Sequence, residues 1–424
     1  MNPFWRIVRL SAAFLCSNVA RAGIGVGLAL VLGRGLGAGR FGAWILCTTW
    51  ASTLTIVGDL GFGVLLTRDG ARDDTNPAGL LTGALTLRLA LVLPLACALT
   101  GAAGLLSSDA ETIAALRVAA LLGVAGAAYG CFGALLRSQA RWLPAVLAIE
   151  TVWLAAQVAA SWRLVATGHG VVSLVALAVA LQLAQIASAL ALWPTVFGAR
   201  SASPLVSPPL MTLLKRAWPF ALSGIVANLH ARVGPLMLGV LATPIELGWF
   251  GAAQRVGRAA KLTPQAIFAG ALPVLSKEYG RDQMEAQRVA QRLDRVLTAV
   301  SAAGAAVCAM FAPLLVRLLY GPQFIGAAPA LVWVAVGLVP TLSNSGRKIF
   351  VYAAGGEAIV LKWSAAALMV QIAAGALLIP SLGSIGAAIS VAIAEAAIWM
   401  PLRMPLRLPA EVRSEKLELK TSHF

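Results

Sequence analysis

Residues 248–275 read G-W-F-G-A-A-Q-R-V-G-R-A-A-K-L-T-P-Q-A-I-F-A-G-A-L-P-V-L, a run long and apolar enough to cross a bilayer. Within it stand Gln254, Arg255, Arg258, Lys261 and Gln265. A cation at the bilayer centre costs about 2.5–3.5 kcal/mol on insertion scales. Several in one span are tolerated where they face a watery cavity or an anionic ligand. The stretch therefore points to a membrane protein that handles something negatively charged at membrane depth.

Composition agrees. Of 424 residues, 59% are hydrophobic and 12% charged, against about 25% charged in a soluble domain. Such a chain lacks the charge to coat a water-facing surface. Repeated apolar runs of roughly 20 residues are helical spans, because barrel strands are about half that length. The runs give about twelve transmembrane helices. The first six lie near 10–33, 42–67, 79–105, 112–136, 143–166 and 171–197. The next six lie near 218–243, 247–275, 295–319, 326–353, 358–380 and 384–404. Residues 1–32 begin like a signal sequence, but Arg21 interrupts the apolar run, so the stretch is read as a retained first span.

A formal charge of +16 does not signal nucleic acid, because the basic residues are spread over short loops and span interiors. Arg68, Arg72, Arg137, Arg141, Lys215, Arg216, Lys277 and Arg281 fall on one side, whereas Arg34, Arg40 and Arg317 are nearly all the other side offers. The positive-inside rule then places both termini of a multi-pass protein in the cytoplasm. Cys16, Cys47, Cys97, Cys131 and Cys308 lie in apolar stretches without ligand spacing and read as packing residues. There is no P-loop, nucleophile motif or metal cluster, and His169, His230 and His423 are far apart in sequence. The expectation is a non-enzyme with no cofactor and no metal.

The chain repeats itself. Phe41-Gly42-Ala43-Trp44 follows the first span as Leu247-Gly248-Trp249-Phe250 follows the seventh. Six spans plus six in parallel orientation is a transporter plan with the ligand between the halves. The expected division is an N-terminal six-helix lobe over 1–205, a C-terminal six-helix lobe over 206–404 and a cytoplasmic tail over 405–424.

Depth follows from position, at about 1.5 Å per residue. Arg21, Arg88, His230, Arg232, Arg258 and Lys261 fall near mid-span, and Arg255 is slightly shallower. Gln254, Arg258, Lys261 and Gln265 share one helix face. His230 and Arg232 are two residues apart and diverge by roughly 200°, so one axis cannot receive both. Arginine's planar fork suits phosphate oxygens, and these seven residues are the candidate substrate-binding set. Asp59, Glu150 and Glu395 are the acids inside the spans. They are candidates for ion or proton coupling, with a local backbone cap as the competing reading for Asp59 and an arginine partner for Glu150. The basic stretch from Lys277 to Arg295 reads as a solvated, lipid-facing helix.

Three blocks resemble the polysaccharide exporters of the multidrug/oligosaccharidyl-lipid/polysaccharide superfamily, the O-antigen flippase type. One runs from Leu32-Gly33-Arg34-Gly35-Leu36-Gly37 to Asp59-Leu60-Gly61-Phe62-Gly63. Another runs from Trp218-Pro219-Phe220-Ala221 to Glu246-Leu247-Gly248-Trp249-Phe250-Gly251. The third joins Leu377-Leu378-Ile379-Pro380 to Gly383-Ser384-Ile385-Gly386. The resemblance implies two six-helix lobes rocking around a central cationic cavity. It implies a flippase for a lipopolysaccharide-type precursor, a polyprenyl-diphosphate-linked oligosaccharide, with membrane lipids and polysaccharide assembly enzymes as further partners. Arg21 resembles the basic first-span position of lipid-diphosphate flippases, and Arg255 and Arg258 follow the block that lines the cavity in relatives. The seventh span departs from the pattern. Relatives often carry an acid before a glycine-ending apolar run, where this chain has Arg232-Val233-Gly234-Pro235-Leu236-Met237-Leu238-Gly239. A multidrug-type efflux transporter is the alternative, and a membrane glycan polymerase or ligase a more distant one. Drug export predicts more central acids, and a polymerase predicts a large outer loop.

Overall fold

The computed structural model describes residues 3–72, 76–198, 209–260, 275 and 279–399, and no strand occurs among them. The helices are α1 (Pro3–Asp59), α2 (Phe62–Gly70), α3 (Pro77–Leu106), α4 (Ala110–Ser138), α5 (Leu143–Ala166), α6 (Val171–Phe197), α7 (Leu210–Leu241), α8 (Pro244–Ala260), α9 (Gln283–Tyr320), α10 (Ala327–Ala353) and α11 (Glu357–Trp399). Nine of the described helices are long and apolar enough to span a membrane. Lys261, Gln265 and the tail over 405–424 lie outside the described residues.

The apolar parts of α1 and α11 each run for 43 residues, roughly 65 Å of helix and about twice the hydrocarbon thickness. Both break at a glycine with positive φ, Gly37 (φ 77°) and Gly383 (φ 52°), a conformation side chains resist. Each is therefore two passes joined at a sharp corner. Arg34 at the first corner donates to the carbonyls of Leu318 and Leu319 at the end of α9. At the second, the Glu246 carboxylate accepts the Ser384 N–H at 2.7 Å. A side chain at 383 would collide with that carboxylate. With α3–α10, the halves of α1 and α11 make up the polytopic all-helical fold that the apolar runs predict, α8 being described over 17 residues.

Two lobes result. In the first, α4 packs against α1, α3 and α6; in the second, α10 lies between α9 and α11, and α11 against α7. They meet along α1 and α8. At the centre of this seam a methyl on Gly42 would overlap the Pro244 carbonyl and the Gly248 nitrogen. One on Gly248 would overlap the Ala38 carbonyl and the Gly42 nitrogen. Each glycine thus faces the other and the carbonyl four residues before it, so the two repeat segments meet about a local two-fold. Lipid supplies no hydrophobic drive between helices, and such close backbone approach is what holds them. Phe41, Tyr320 and Phe324, all essentially unexposed, fill the adjoining space with ring centroids 5.2–6.1 Å apart.

Candidate functional site

Helix α7 separates two cavities. Arg232 lines the larger, about 480 Å³, together with Arg21, Glu150 and polar side chains of α1, α5 and α6. His230 lines the smaller, about 240 Å³, with Gln254 and Arg258 of α8 and Trp333 and Thr341 of α10. The roughly 200° between residues two apart on a helix sends each side chain to its own space. The Arg232 Nε donates to Ser52 Oγ at 3.1 Å, and the Arg258 Nη2 donates to Gln254 Oε1 at 2.7 Å.

The three intramembrane acids all have basic partners. Glu150 is nearly buried and accepts from Arg21 and Arg137, each at 2.6 Å, and from the Tyr129 hydroxyl at 2.9 Å. Glu395 lies 3.5 Å from His230 and accepts from Asn344 at 3.1 Å. Asp59 pairs with Arg88 and accepts the Gly63 N–H at 3.1 Å. It therefore caps the helix that restarts after Leu60 and Gly61, both in the left-handed region.

Arg88 departs from the sequence expectation. It is 1% exposed, donates to the Ala127 carbonyl at 3.0 Å, and occupies the room that Gly130 leaves by lacking a Cβ. It joins α3 to α4 inside the first lobe and lines neither of the two cavities. Arg255 also lines neither. Its guanidinium lies 4.9 Å from the Trp44 ring and 5.7 Å from Phe41, and donates to the Gly25 carbonyl at 3.4 Å. A cation stacked on two rings is stabilised by their quadrupoles. It bolts α8 to both halves of α1.

Among the described residues, Arg232, Arg255 and Arg258 have no acidic partner. Arg258 is close enough to both others for mutual repulsion. Arg258, within reach of both, completes a group of like charges that can attract an anion. They have no other described carboxylate to neutralise them.

Two groups of polar residues escaped the sequence reading. Asp294, taken as part of a solvated stretch, is 2% exposed and accepts from Arg347 at 3.1 Å and from Ser343. The signal lay in its spacing, since Asp294, Leu297 and Ser301 make one buried face of α9. Gln157, Gln182 and Gln185 line the larger cavity. They are neutral, and a search for charge passes over them.

The folded chain is similar to a lipid II flippase, MurJ, in an inward closed conformation, at TM-score 0.70 and 13% identity over 93% of this chain and 86% of that one. It is equally similar to an inward-facing multidrug resistance MATE transporter of the MOP superfamily, TM-score 0.70 and 17% identity over 97% and 99% of the two chains. A MOP superfamily transporter from Pyrococcus furiosus, described as having a binding pocket of reverse polarity, gives TM-score 0.62 at 16% identity over 94% and 93%. No curated protein matches the sequence. The model of the polysaccharide biosynthesis protein family matches residues 7–278. With well over half the chain matched, this protein belongs to the polysaccharide biosynthesis protein family.

Proposed function

We propose that the protein is a flippase, carrying a lipid-diphosphate-linked oligosaccharide across the bacterial inner membrane by alternating access for cell-surface polysaccharide assembly. The observation behind this reading is that Arg232 and Arg258, which line the two cavities on either side of α7, have no acidic partner among the described residues. A diphosphate supplies the missing negative charge, and arginine binds it in paired hydrogen bonds. Arg21, although bonded to Glu150, lines the cavity with Arg232 and supplies further donors. Lys261, three residues beyond Arg258 in the sequence and outside the described residues, is a further candidate donor.

The lobes over 1–205 and 206–404 rock about the α1–α8 seam, with both termini and the tail over 405–424 in the cytoplasm. The lipid tail stays in the bilayer while the headgroup passes between the lobes. The energy comes from an electrochemical gradient. Among the three acids we assign coupling to Glu395, which lies 3.5 Å from His230. The ligand must bind the two lobe arrangements differently in order to shift them.

Proteoliposomes distinguish this from drug export. The expected result is translocation of a fluorescent undecaprenyl-diphosphate oligosaccharide and none of a cationic dye. Efflux of the dye without lipid translocation overturns the proposal.

A further inference from the structure

We propose that the larger cavity is a sugar subsite, reading one or two uncharged pyranose rings next to the diphosphate through Gln157, Gln182, Gln185 and Trp153. This deepens the flippase reading and rests on it.

Trp153 and Gln157 are four apart near the middle of α5, and Gln182 and Gln185 three apart near the middle of α6, so each pair shares a face. All four line the cavity. Its volume of about 480 Å³ falls in the range of about 300–1,000 Å³ typical of small-molecule sites.

Carboxamides in membrane-spanning helices need a reason, because an amide turned toward lipid is costly. Helix-to-helix adhesion is the ordinary one, and it does not apply. The described bond of Gln182 is to Gln185 on the same helix, at 3.0 Å. Gln157 has no hydrogen-bond partner among the described residues. The link between α5 and α6 is made instead by the Trp153 indole N–H, which donates to Ser188 at 3.2 Å. That bond also fixes the ring. The Gln157 amide, the Gln182 carbonyl and the Gln185 NH₂ are left with donors and acceptors unspent.

Chemistry then selects the ligand. An amide offers an acceptor and two donors, which match a hydroxyl that both donates and accepts. The negative face of a tryptophan ring suits the C–H face of a pyranose. A cationic ligand is disfavoured, because the one acid lining this cavity, Glu150, already accepts from two guanidinium groups and a phenol. Arg232 of α7 also lines this cavity, where a phosphate joined to the first sugar would lie.

The test is equilibrium binding to the full chain in nanodiscs. The probes are undecaprenyl diphosphate and its conjugates with N-acetylglucosamine, glucose or galactose. Loss of one hydrogen-bonding side chain corresponds to about threefold to tenfold in affinity. At least one sugar-bearing lipid should bind the original chain more tightly than bare lipid by that factor. Gln157→Leu and Trp153→Ala should bring the ratio to one while bare-lipid affinity, which reports folding, is kept; Trp153→Phe should preserve the ratio. If no conjugate is preferred to bare lipid, or the preference survives both Gln157→Leu and Trp153→Ala, the sugar subsite is overturned and the flippase reading stands. If no lipid binds and a cationic dye does, both fall.

Discussion

Charge pairing divides the basic residues into two kinds that mutation should separate. Arg88 is enclosed and bonded to Asp59 and Ala127. Removing one member of a buried pair leaves the other uncompensated, typically costing about 3–5 kcal/mol, and less where, as with Asp59, the partner is partly exposed. Arg88→Ala should therefore lower the midpoint of thermal unfolding in detergent, while Arg258→Ala should leave it unchanged and weaken diphosphate binding. A charge-assisted hydrogen bond contributes about 1.5–3 kcal/mol, so the loss in affinity is about tenfold to a hundredfold. Equal destabilisation by both variants would contradict this division. Outside the membrane, the exposed Asp109 carboxyl is held below its usual range by the Thr112 hydroxyl and N–H, which it accepts at 2.7 and 2.9 Å. Because the folded pKa is depressed, this cap is fully effective above the unfolded value and is lost as pH falls through the folded one. The protection factor against hydrogen exchange at the start of α4, which removes the intrinsic pH dependence of the rate, should fall in acid in the original chain and be low at every pH in Asp109→Ala. The sequence revealed which residue types sit at mid-span and that His230 and Arg232 diverge. It could not show that Arg88 turns inward to Asp59, because that depends on the gap at Gly130 in another helix.

At the scale of elements, glycine positions explain most of the architecture. Gly37 and Gly383 allow one helix to become two passes, and the facing pair Gly42 and Gly248 brings α1 and α8 into backbone contact. Gly42→Val should prise the seam apart. It should show as increased labelling of a cysteine introduced at Ala38, which lies against Gly248, and as reduced translocation. Unchanged labelling would mean that the seam is held elsewhere. The repeat was legible as two short peptides in equivalent places. What the sequence did not disclose is that they touch each other. The limits of α5 and α6 were also legible, because apolar runs end where charged loops begin, whereas α7 and α9 begin at Leu210 and Gln283, ahead of the runs expected from 218 and 295. The corners of α1 and α11 were not separable from ordinary short loops, since helical hydrogen bonding runs almost through them.

For the whole molecule, the proposal requires lobes that move and a gradient that drives them. Glu395→Gln removes the charge facing His230. Its expected effect is loss of gradient-driven accumulation with exchange of labelled for unlabelled lipid retained. Loss of exchange as well would make Glu395 a structural residue bonded to Asn344. The helical membrane fold was readable from apolar run lengths, since few other structures satisfy a backbone in lipid, whereas the two lobes were expected from the repeat and from the resemblance to the exporter family. The arrangement of the site was not, because hydropathy fixes depth and leaves the rotation of each helix open. The central claim is that arginines without acidic partners hold a diphosphate while the lobes exchange sides. Translocation of undecaprenyl-diphosphate oligosaccharide in proteoliposomes should be compared among the original chain, Arg232→Ala and Arg258→Ala at equal insertion. Loss of transport in both variants is the predicted result, and transport at the original rate in both would contradict it.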